Sequence, residues 1–79
     1  MSGLIKYVVR PSMRDEAFRV MLKTSPKSRV DHLQKLAYGV PLSYGRWLKY
    51  FDLQLAEKFL MPEDCEEIEV VEYNKVGQN

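Results

Sequence analysis

Apolar and polar positions alternate, then recur every three to four residues, then alternate again along this chain. Leu4 to Arg10 is β-branched and aromatic, with Lys6 and Arg10 among apolar neighbours, and predicts a strand over 4–10. Pro11 ends it. From Ser12 the period lengthens: Met13, Ala17, Val20 and Met21 share one helical face, widened by Phe18 and Leu22. Asp15 and Glu16 stand near the positive end of this helix and Lys23 near the negative end, which predicts a helix over 12–23. Ser25-Pro26 is a cap followed by a first-turn proline and predicts a second helix over 26–38. Val30, Leu33, Leu36 and Ala37 would face inward, with Gly39 supplying the positive φ that closes the helix.

The densest aromatic stretch follows. Ser43 is placed as an N-cap and Pro62 blocks continuation, so the pattern predicts one long helix over 43–61. Tyr44, Trp47, Leu48, Phe51, Leu55 and Phe59 fall on one side of it. Leu53, Ala56 and Leu60 form a second apolar strip on the other, among Arg46, Lys49, Tyr50 and Glu57. A helix apolar on two sides must cover both, with its own chain or with a partner. Beyond an acidic loop, Glu67 to Tyr73 alternates again and predicts a strand over 67–73, with a tail at 74–79. The expected fold is therefore α+β: one small domain in the order strand, three helices, strand. The terminal strands would pair, antiparallel by preference, against a central third helix.

Composition narrows the classes. Seventy-nine residues make one domain. With 46% hydrophobic residues the chain has enough apolar material to fold. No apolar run is long enough for a membrane span, and the first residues lack a signal-peptide pattern. Cys65 is the single cysteine, so neither an internal disulfide nor a thiolate metal cage is expected, and a cytoplasmic setting follows. Net charge is only +1, but it is split. Residues 1–50 carry ten Lys/Arg against three Asp/Glu, a net of +7. Residues 51–79 carry two against eight, a net of −6. Either the basic part binds a polyanion or the two parts face each other across the fold.

Catalytic chemistry has little to stand on. His32 is the only histidine, and the acidic neighbours of Cys65 (Glu63, Asp64, Glu66 and Glu67) disfavour a thiolate. That acidic run lacks the alternating oxygen ligands and central glycine of a calcium loop, and no glycine-rich phosphate loop occurs. No catalytic residue, metal or cofactor is expected, and the chain reads as a non-enzymatic binding protein.

Two targets compete. Leu33-Gln-Lys-Leu-Ala-Tyr-Gly-Val-Pro-Leu-Ser-Tyr-Gly-Arg-Trp-Leu48 resembles a helix-turn-helix: a helix, a glycine-containing turn and a second helix. It departs from that pattern at Lys35, where alanine is usual, and at Gly45, where an apolar residue is usual. The resemblance implies a nucleic-acid-binding protein, with Lys27, Arg29, Lys35, Arg46 and Lys49, joined by His32, on phosphates or in the groove. The expectation ranked first is docking on a larger protein, or on a second copy, as a small regulator or inhibitor. It rests on Arg46, Tyr50, Leu53 and Leu60, because arginine and tyrosine are favoured interface anchors beside an apolar strip.

Overall fold

The computed structural model describes residues 5–66. Three antiparallel strands lie in the order β2-β1-β3, and four helices accompany them in a small α+β domain. The strand expected over 67–73 and the tail at 74–79 lie outside the described residues, as does Leu4.

The central strand β1 is Lys6–Val9, with Val8 and Val9 buried. Pro11 ends it and opens a 3-10 turn, Pro11–Met13, so the first α-helix, α1, is Arg14–Thr24 and starts two residues later than expected. Proline fits a first turn because its missing N–H would be unpaired there anyway. Ala17 and Met21 are buried, and Thr24 closes the helix by donating its hydroxyl to the Val20 carbonyl at 3.1 Å.

The second helix, α2, is Val30–Ala37 rather than 26–38. Pro26 serves a turn instead of a first helical turn: the Ser28 N–H donates to the Ser25 carbonyl at 3.0 Å, and Arg29 is extended at ψ 138°. Leu33, Leu36 and Ala37 are buried, whereas Val30, expected inward, is exposed. Tyr38 caps α2, and its hydroxyl donates to an Asp15 carboxylate oxygen, tying α2 to α1. Gly39 takes a φ of 125°, a conformation that disfavours side chains and turns the chain toward the sheet.

The stretch 43–61 is not one helix. Leu42–Ser43 is a short strand, β2, whose register pairs Lys6 with Ser43 and Tyr7 with Leu42. Ser43 also caps α3, Tyr44–Trp47, by accepting the Arg46 N–H at 3.4 Å. Turn hydrogen bonds carry the chain to Phe51, and the helix then restarts at Asp52. The Asp52 carboxylate accepts the Leu55 N–H at 2.8 Å, capping α4, Leu53–Phe59. An aspartate that satisfies backbone donors itself offers an alternative to continued helix, and Asp52 is extended at ψ 176°. α4 stops before Pro62, because a residue preceding proline is driven out of the α region. Leu60–Pro62 forms β3, pairing Leu60 with Val9, Met61 with Val8 and Pro62 with Tyr7.

The expected aromatic side of this stretch does build the core. Trp47, Phe51 and Phe59 are buried. The Trp47 and Phe51 rings stack with centroids 5.7 Å apart, and Phe59 meets Phe51 edge-on at 5.1 Å. The indole N–H of Trp47 donates to the Tyr7 carbonyl at 2.8 Å, fastening α3 to the middle strand. Leu48, on the same expected side, is 39% exposed.

Candidate functional site

α3 is buried through Trp47 and open through Arg46. On the open side α2, β2 and α3 enclose a groove of about 290 Å³ lined by His32, Leu36, Leu42, Arg46, Lys49 and Tyr50. A second hollow of about 340 Å³ is lined by Lys6, Pro41, Leu42, Ser43 and Arg46. The two share Leu42 and Arg46, so they adjoin at these residues. No Asp or Glu lines either one.

Local structure explains why these groups converge. The Ser43 cap fixes the first turn of α3, which carries Arg46, and in the turn that follows the Lys49 N–H donates to the Arg46 carbonyl at 3.1 Å, keeping the two residues close. The β2–β1 register sets Lys6 opposite Ser43, bringing a cation from the first strand to the second hollow. The Tyr50 ring meets Trp47 at 6.2 Å and 64°, and its carbonyl lies 3.3 Å from the Thr24 hydroxyl oxygen. Among the described residues the ion pairs are Arg29–Asp31 at 3.3 Å and Lys58–Glu16 at 3.2 Å. Neither uses Lys6, Arg46 or Lys49. The groove therefore combines Leu36 and Leu42 with cations that these pairs do not neutralise.

No protein-family model, curated protein or solved structure matches this chain.

The five basic residues expected on nucleic acid divide. Arg46 and Lys49 share the groove, and His32 joins them. Lys35 lines a separate depression of about 550 Å³ with Gln34, Tyr38, Gly39 and Val40. Arg29 spends its charge on Asp31, and Lys27 stands in the Ser25–Ser28 turn. The helix-turn-helix likeness does not extend to a recognition helix. α3 has four residues, about 6 Å of helix, too little to lie along a major groove.

The residues expected on a protein partner divide as well. Arg46 and Tyr50 meet in the groove, but Leu60 is 4% exposed because β3 carries it into the core beside Val9. Leu53, at the start of α4, is 63% exposed. The continuous Leu53–Leu60 strip therefore does not exist, since the chain leaves the helix between them. Leu42, which lines both hollows, and Lys6, which lines the second, were missed. Their convergence with Arg46 depends on strand register, which local periodicity does not carry.

Two titrations are displaced near these elements. Arg29 beside Asp31 holds that carboxyl below its ordinary value, and the Asp15 carboxylate accepting from Tyr38 pushes the phenol above its own. Among the described residues no cluster of His, Cys, Asp and Glu is arranged to hold a metal ion, and no helix is long and apolar enough to cross a membrane.

Proposed function

We propose that this protein is a small non-enzymatic nucleic-acid-binding module of the cytoplasm that holds the sugar-phosphate backbone on the face formed by Lys6, Arg46 and Lys49. The observation that carries the reading is the pair of adjoining hollows around Arg46, lined by cations and by no carboxylate. Phosphate oxygens accept hydrogen bonds from arginine and lysine, and neutralising them releases condensed counterions. The face positions a backbone; α3, with four residues, is too short to read base edges.

A gel-shift series against mixed DNA and RNA over increasing salt tests this. Binding is expected at low salt, to fall steeply as salt rises, and to weaken on Arg46→Ala with Lys49→Ala. Lys58→Ala, which removes a cation paired with Glu16 elsewhere, serves as the control. Equal shifts from the double variant and the wild type would sink the proposal.

A second reading, docking on a larger protein or a second copy, is favoured by one observation: Leu53 is open while Arg46 and Tyr50 stand ready as anchors. It ranks below the first because Leu60 no longer extends the apolar surface. Light scattering on the wild type and Leu53→Asp measures the self-association version. A monomer in both cases removes the homodimer.

A further inference from the structure

We infer that the nucleic acid this face takes is single-stranded, with a phosphate held by Arg46 and the adjoining nucleotides seated in the two hollows that Arg46 lines. The inference rests on the nucleic-acid reading above and names the form of the ligand.

Three features separate a single strand from a duplex. The first is the floor. Leu36 and Leu42 line one hollow, and Pro41 and Leu42 the other, so each combines apolar surface with cations. The phosphate wall of a duplex gives such surface nothing to cover. An unpaired base has apolar faces to set against it. The second feature is Tyr50, an aromatic side chain in the groove wall beside Arg46 and Lys49. The Trp47 ring meets it edge-on at 6.2 Å. Aromatic rings interleaved with a basic track are the usual platform for single strands, since every base has a stacking face. The third is the shortness of α3. With four residues, one of them the buried Trp47, it cannot enter a major groove, yet it can present one arginine to both hollows.

The shared lining gives a path. Lys6 and Ser43 line one hollow, Lys49, His32 and Tyr50 the other, and Arg46 lines both. Three cations along one strand correspond to a salt slope of about −2, taking ~0.7 per phosphate contacted.

Fluorescence anisotropy with the full chain decides between forms. The probes are oligo-dT and oligo-rU of about twelve nucleotides, a mixed-sequence duplex of equal length, and poly-glutamate as a polyanion without bases. Single strands are expected to bind more tightly than the duplex, and Tyr50→Leu to weaken them about fivefold or more while Tyr50→Phe keeps the affinity. Amide-shift mapping on the wild type, which needs no substitution at half-buried Tyr50, is expected to move Leu36, Leu42, Arg46 and Tyr50 with oligo-dT. Duplex binding equal to or tighter than single-strand binding would overturn the inference and leave the nucleic-acid reading standing. Binding of poly-glutamate alone, or of no probe at all, would overturn both.

Discussion

The two sides of α3 are a contrast in what one short helix can serve. Trp47 has no solvent exposure, stacks on Phe51 and bonds the central strand. Arg46, its immediate neighbour in sequence, is exposed and has no partner among the ion pairs of the described residues. One side is dry, aromatic and held by non-local contacts; the other is wet, cationic and open. The difference teaches that this helix is not stabilised by its own length. Four residues are far below what an isolated helix needs in water, so the tryptophan side holds the helix in place and the arginine side is left available.

Substitutions can break the contrast from its strong end downward. Trp47→Ala should cost about 3–5 kcal/mol, enough to unfold much of a domain this small, as measured by urea denaturation. Next comes the pair that were expected to lie on one strip. Leu60→Ala should cost about 2–5 kcal/mol and Leu53→Ala within about 0.5 kcal/mol, because one is core and the other surface. Equal costs would mean that Leu53 and Leu60 share an environment after all. Asp52→Ala should cost about 1 kcal/mol by removing the α4 cap, seen as a lower melting temperature with little change in groove affinity.

The smallest effect concerns the rim. The Asp31 carboxyl is lowered first by its bond to Arg29, so the contribution of this pair is present above the ordinary carboxylate value and is lost as pH falls through the lowered one. Arg29→Ala should return Asp31 toward its ordinary titration, followed by carboxyl NMR shifts, with thermal stability at neutral pH nearly unchanged because the pair is exposed. Tyr38 has the opposite sign. Its raised phenol keeps the tie to Asp15 below the ordinary tyrosine value and loses it as pH climbs through the raised one.

Much of the dry side was legible in the sequence. The β-branched opening, Pro11, Gly39 and Ser43 act through local backbone chemistry, and each has the effect its type dictates. The spacing of Trp47, Phe51 and Phe59 identified the aromatic core because burial follows apolarity closely for such large rings. The break at Asp52 was hidden. Apolar residues recur at helical spacing on both sides of it, and an aspartate on a polar face looks the same as an aspartate cap until the Leu55 bond is known. Leu60 was assigned to the wrong environment for a related reason. Pairing with Val9, some fifty residues earlier in the chain, outweighs helical periodicity there. The wet side was half legible: Arg46, Lys49 and Tyr50 stand out in the sequence, but the meeting of Arg46 with Lys6 is a product of the sheet.

The bond from the Trp47 indole to the Tyr7 carbonyl gives the molecule a built-in optical gauge. The chain has a single tryptophan, so its emission comes from one place, sealed from water and touched by the ring of Tyr50. Loosening of the sheet would wet that indole and redden its light. A guest that shifted Tyr50 without unfolding anything would change the brightness more than the colour.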